Sequence, residues 1–224
     1  MTVNEQPDNP NTPKRGYHSP KRQQQAGATR RRILAAAERL FAAQGYAAVT
    51  MEEIAREAKV SLATIYLHFS GRAAVVGALA EEIAAAPELS VEQVEQVDQG
   101  ADPVEQAQIG AHIMRQVNKR AWLVVDILRG HRGSDPELER LWTLWRQGHL
   151  DAMRRAAEAI ASRGGLRPGL SVEAAADALY ALMGTEVYRA LVLERGWEPD
   201  RYERWLFEAA CRELLAPAPD PGPS

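Results

Sequence analysis

Apolar residues recur every three or four positions from Ile33 to Leu214, and no stretch alternates apolar with polar residues for long enough to make a strand. That period gathers apolar side chains on one face of a helix, so the chain can bury a core only by packing helix on helix. Aromatic residues make up just 6% of the 224, which leaves little of the material that favours sheets. The spacing predicts an all-α protein of about nine helices, separated by capping residues and by glycine or proline breaks.

Thr29 is a usable N-cap for a first helix to Gln44, with Ile33, Ala37, Leu40 and Phe41 on one face and Gly45 at its end. Thr50 and Glu53 make a capping box for a second helix, Met51 to Ala58. After Lys59 and Val60, Ser61 caps a third helix over Leu62 to Phe69, and a fourth runs from Arg72 to Ala86. Asp102 and Pro103 open the remainder, where helices are expected over 103–117 and 120–130 because Asn118 to Arg120 interrupt the apolar pattern. Ser134 to Glu137 start a long helix to Arg163, Ser171 caps another to about Arg195, and Pro199 begins a last one that ends before Pro217. The expected organisation is a disordered basic tail (1–27), a helix-turn-helix domain (28–86), a linker (87–102), a helical body (103–216) and a disordered tail (217–224).

Charge is unevenly spread along this frame. In the first 32 residues seven Lys and Arg face two acidic residues, giving +5, so the other 192 carry −8 of the net −3. A basic front and an acidic body suggest two roles, with a polyanion at the front. The single cysteine, Cys211, excludes an intrachain disulfide framework and a cysteine pair for zinc. No stretch reaches the roughly 18 apolar residues of a membrane span, and the N-terminus has no apolar signal core, so a cytoplasmic, nucleoid-associated protein is expected, with no membrane partner.

Helix, short turn, helix with serine at the second N-cap is the pattern of a DNA-binding helix-turn-helix, whose second helix enters the major groove. The amide groups at the Thr50 and Ser61 ends suit phosphate oxygens. Around this pattern stand Ile33-Leu34-Ala35-Ala36-Ala37, Leu40-Phe41, Gly45-Tyr46, Thr50-Met51-Glu52-Glu53-Ile54-Ala55 and Thr64-Ile65-Tyr66-Leu67-His68-Phe69-Ser70-Gly71-Arg72. With this order and spacing, residues 29–80 resemble the tetracycline-repressor (TetR) family of bacterial regulators. The resemblance implies a DNA-binding repressor, a body with a small-molecule pocket, and a homodimer paired through the last two helices. It places Thr50 and Tyr66 on phosphates, His68 near the backbone, Ser61, Leu62, Ala63 and Thr64 over base edges, and Arg72 where relatives usually carry lysine. Ala63 departs from the Gly or Pro common there, and this face lacks Arg, Lys, Asn and Gln, so few bidentate base contacts are available.

Plainer readings stand beside these. Tyr66 and His68 can serve as packing residues, and Arg30, taken as a phosphate contact because positive charge at a helix start opposes the dipole, can belong to a solvated helix start. Lys14 to Arg22 suit either a solubilising tail or a DNA arm. In the body, Trp122, Trp142, Trp145, His149, Tyr180, Met183 and Glu186 are candidates for a pocket holding an apolar or aromatic effector, with ordinary core packing as the alternative. A regulator without an effector is the second reading. The third, an enzyme or metal protein using His112, His131, His149, Asp126 and Glu186, lacks every recognised spacing: there is no His-Glu-x-x-His, no Gly-x-Ser-x-Gly and no phosphate loop. No cofactor is expected.

Overall fold

The computed structural model describes residues 20–86 and 102–216. Among them are nine α-helices: α1 (Pro20–Gln44), α2 (Met51–Glu57), α3 (Leu62–His68), α4 (Arg72–Ala84), α5 (Pro103–His131), α6 (Pro136–Ser162), α7 (Val172–Leu182), α8 (Thr185–Tyr188) and α9 (Pro199–Leu214). A 3₁₀ turn, Arg132–Ser134, joins α5 to α6, and a π-helical stretch, Arg189–Glu194, prolongs α8. The described residues contain no strand. One isolated antiparallel bridge, Leu166 to Leu215, ties the end of α9 to the α6–α7 loop.

Helix starts follow the capping chemistry. Thr50 and Glu53 form the reciprocal box, Ser61 accepts from the Thr64 amide, Asp102 from Val104 and Glu105, Asp135 from Glu137, and Ser171 from Ala174. Each bond satisfies an amide that the first helical turn leaves unpaired. Gly45 ends α1 at φ +80°, where any side chain is strained; Gly45→Ala is expected to cost about 1 kcal/mol in urea unfolding, with no steric clash to add to it.

Three expectations need correction. First, α1 begins at Pro20, so Thr29 lies inside the helix, and the part of the predicted tail from 20 to 27 is helical; residues 1–19 lie outside the described residues, as do 87–101 of the linker and 217–224. Proline is suited to a first turn and Gln, Ala, Lys and Arg all favour helix, whereas the pattern reading waited for apolar residues that begin only at Ile33. Second, α5 is one helix through Asn118. That residue is buried and its amide donates to the Met183 carbonyl (3.1 Å) and the Tyr202 hydroxyl (3.0 Å), so it is a buried polar tie within an unbroken helix. Third, the helix expected over 172–195 breaks at Gly184, which takes an extended conformation (ψ 156°) as the N-cap of α8.

Two apolar clusters fill the interior. One joins α1–α4 to α5 and the start of α6 through Ile33, Phe41, Ile54, Ile65, Phe69, Val75, Val124, Leu128 and Leu138. The other holds α5–α9 together around Met153, Ile160, Leu179, Tyr202, Leu206 and Leu214. Thus α4 is clamped from behind by α5 and α6, and the helix-turn-helix is not packed independently of the body. No single described helix is long and apolar enough to cross a membrane; α3 with α4 passes such a test only as a pair bent by 56°, and its apolar residues Ile65, Phe69, Val75, Val76 and Leu79 are buried.

Candidate nucleic-acid interface and ligand cavity

The turn between α2 and α3 is tight because Lys59 adopts a left-handed conformation (φ 55°) and the Val60 amide bonds back to Ala55. Ile65 and Phe69 anchor α3 in the core, which leaves the residues between them facing out. Ser61, Leu62, Ala63, Tyr66 and Leu67 are exposed; Thr64 and His68 are half-buried. The Ser61 and Thr64 hydroxyls are 2.8 Å apart and hydrogen-bond each other, so the polar groups of this face are already oriented. Leu67 is 85% exposed, a bare leucine beside the half-exposed Tyr66. The sequence reading passed it over, yet its register, two positions from both Ile65 and Phe69, was enough to place it outward.

At the entrance to α2, the Thr50 amide donates to Glu53 (2.8 Å) and the Glu53 amide to the Thr50 hydroxyl (3.2 Å). The Thr50 donors hold the Glu53 carboxyl below the ordinary carboxylate range. A carboxyl with a depressed folded pKa stabilises the fold above its unfolded pKa and loses that contribution as pH falls through the folded value. Thr50→Ala is expected to cost about 1 kcal/mol at neutral pH in urea unfolding, and to remove only the hydroxyl's share of the acid sensitivity, since the backbone amide of residue 50 still donates to Glu53.

The arginines proposed for DNA contact have partners inside the protein. Arg30 pairs with Glu81 (3.2 Å) and Glu82 (3.8 Å) of α4 and lies over the Phe69 ring. It sits well inside α1, so the argument from an exposed helix start no longer applies to it. Arg32 donates to the Ala58 and Lys59 carbonyls, closing the end of α2. Arg72 donates from Nη1 to the carbonyls of Tyr46 (2.8 Å) and Val49 (2.7 Å), with Ala47 at 3.2 Å, and its guanidinium covers the Tyr46 ring at 4.8 Å. Arg32 and Arg72 position the turn and the α1–α2 loop, and Arg30 ties α1 to α4.

In the body a cavity of about 290 Å³ opens between α5, α6 and the α7–α8 junction. Trp142, Trp145, His149, Tyr180 and Glu186 of the sequence candidates line it; Met183 lines a second cavity of about 190 Å³, and Trp122 lines neither but packs against both apolar clusters. Arg146, Asn118 and Thr185 join the first lining, none of them singled out by the periodic pattern. Glu186 is ion-paired with Arg129. His149 stacks against Tyr180 with ring centres 5.0 Å apart, and its Nε2 is buried with no hydrogen-bond partner among the described residues. Burial holds the His149 pKa below the ordinary imidazole value, against the opposing pull of the Tyr180 backbone and the Glu186 charge. The ring is therefore neutral at pH 7.

The other histidines are apart: His112 pairs with Glu203 (3.1 Å) and His131 stacks on Tyr46. Among the described residues no three His, Cys, Asp or Glu side chains are grouped to hold a metal ion.

Comparison with known proteins agrees with the geometry. Residues 33–79 match the family model described as bacterial regulatory proteins, tetR family, which ends within α4. An uncharacterised HTH-type transcriptional regulator of Bacillus subtilis, YdeS, is 29% identical over 165 residues, 73% of this chain and 79% of that one. Among solved structures, the SmeT–triclosan complex superposes with a TM-score of 0.67 at 22% identity, over 88% of this chain and 98% of that one. NalD of Pseudomonas aeruginosa, the secondary repressor of the MexAB-OprM multidrug efflux pump, gives 0.66 at 23%, over 85% and 98%. The structural likeness carries the fold through the body, while the family match falls on α1–α4, where the capped helix pair lies. The chain thus carries, over residues 33–79, the segment that the tetR family model describes, and it shares its fold with solved bacterial regulators.

Proposed function

We propose that this protein is a cytoplasmic repressor that leaves a near-palindromic operator when a small apolar or aromatic molecule enters the α5–α6 cavity. It acts as a homodimer paired through the helices after Ser171, which sets two copies of α3 about one DNA turn apart. Residues 28–86 form the DNA-binding unit and 103–216 the effector and dimerisation unit. In this reading Thr50 and Tyr66 contact phosphates, His68 approaches the backbone, Ser61 to Thr64 and Leu67 meet base edges and sugars, and Arg30 and Arg72 hold the interface in shape. The apolar face of α3 suits thymine methyl groups.

The observation that carries the ligand response is shared packing. Trp142 and Trp145 line the cavity and also pack against the cluster that holds the buried residues of α1–α4. A molecule that moves these indoles changes the support of α4, whose Gly77 lies against Leu141 of α6, 3.5 Å from where a Cβ would stand. An effector acts only through different affinities for the DNA-bound and free conformations. The triclosan in the SmeT complex supports an effector of this aromatic class. An unfilled cavity of this size also favours the effector reading over a regulator without one.

The test is operator release: fluorescence anisotropy of labelled operator, titrated with a panel of apolar small molecules. The expected result is a compound that lowers operator affinity at least tenfold, is itself bound less tightly by the operator complex by the same factor, and loses its effect in Trp145→Ala. A compound that binds the body without changing operator affinity counts against the reading.

A further inference from the structure

The two cavities lie along the same pair of helices. On α5 the lining residues Gly110 and Met114 continue into Val117 and Asn118, three and four positions on, and on α6 Trp145 and His149 continue into Ala152 and Ala156. Gly110 to Asn118 spans about 12 Å of helix. Met114 lines both cavities, and the α7–α8 break divides them on the other side: Met183 lines the second and Gly184 the first.

Their linings differ in kind. The first has the indoles of Trp142 and Trp145, the Tyr180 ring and a buried imidazole nitrogen without a partner; the second is walled mostly by methyl groups and thioethers, such as Ala107, Ala152, Met153 and Met183, with Gln106 and Arg155 also in its lining. Glu186 is already paired with Arg129, so the first cavity does not call for a cationic head. His149 Nε2 is buried with no partner among the described residues. A buried polar nitrogen without a hydrogen bond is unfavourable until a ligand supplies one. Met114, unbranched and with three rotatable bonds, is a partition that can turn aside.

We propose that these cavities form one slot for a single amphipathic ligand, with a neutral hydroxyl-bearing aromatic head hydrogen-bonded to His149 Nε2 and an unbranched alkyl chain passing Met114 into the second cavity. This rests on the effector reading above and specifies its ligand class.

The test uses full-length protein, isothermal titration and a series of 4-alkylphenols from ethyl to decyl. In the wild type, affinity should rise up to about fourfold per methylene along the series. Gly110→Leu puts a side chain into the second cavity at a position where a Cβ meets nothing within 4 Å, and circular dichroism and thermal unfolding check that it folds; its gain should stop several methylenes earlier. His149→Phe should weaken every member by a similar factor and keep the slope, which a change in the fold would not do. Equal slopes in wild type and Gly110→Leu would overturn the slot, because the tail would then lie elsewhere. Failure of every alkylphenol to bind would overturn it too. In either case the operator-release panel, which does not depend on chain length, decides separately whether the effector reading stands.

Discussion

Tyr202→Ala is expected to remove about 3–5 kcal/mol of stability and to lower Tm by something on the order of 10 °C at fixed protein concentration. Tyr202 is fully buried, meets Tyr188 edge-to-face with ring centres 5.3 Å apart, and accepts a hydrogen bond from Asn118. The truncation leaves a cavity the size of a ring at the centre of the α5–α9 cluster and deprives the Asn118 amide of one acceptor. Tyr202→Phe should cost less, about 1–2 kcal/mol, since the ring remains and Asn118 keeps the Met183 carbonyl. Burial pushes the Tyr202 hydroxyl up to about 12. A folded pKa raised above the unfolded value of about 10 means that the stabilisation is complete below pH 10. It is then lost as pH rises through 12. Tyr202→Phe should be less sensitive to pH over that window in urea titrations.

Arg72→Ala should be the most damaging single change near the DNA face outside the core, at about 2–3 kcal/mol. One guanidinium holds the carbonyls of Tyr46, Ala47 and Val49 and covers the Tyr46 ring. These carbonyls belong to the loop that delivers Thr50 to the start of α2, so the loss should reach operator affinity through the position of the cap. Arg72→Lys keeps the charge and lacks the planar fork, and should recover only part of both effects. If Arg72 instead contacted phosphate directly, the lysine would restore binding nearly in full and the salt slope of binding would fall by about one unit in the alanine variant. The clamp predicts an unchanged slope.

What was legible in the sequence follows from the range of the interactions involved. Caps are made by a side chain and an amide two or three residues away, so Thr50, Ser61, Asp102, Asp135 and Ser171 announced their helices. Features set by distant partners were not legible. Asn118 looks like an interruption until Met183 and Tyr202 are seen to take its amide, and Arg30 and Arg72 look like free cations until Glu81, Glu82 and the α1–α2 carbonyls are in place. The start of α1 was missed because an amphipathic pattern is silent where a helix has no core to face. In the cavity, helical spacing put Trp142, Trp145 and His149 on one stripe, since they share one uninterrupted helix. The same spacing failed for Met183, because the break at Gly184 turns neighbouring residues toward different cavities.

The most direct test of the central claim, that α3 reads DNA, is selection of binding sites from random duplexes followed by footprinting, with wild type and Tyr66→Ala compared over a salt series. Tyr66 is half-exposed and outside the core, so circular dichroism of the variant should match the wild type. The account predicts enrichment of a near-palindrome with half-sites one helical turn apart, and a protected footprint that Tyr66→Ala loses at salt concentrations where the wild type holds. A footprint that Tyr66→Ala reproduces at every salt concentration, or an enriched site without two-fold symmetry, would contradict it.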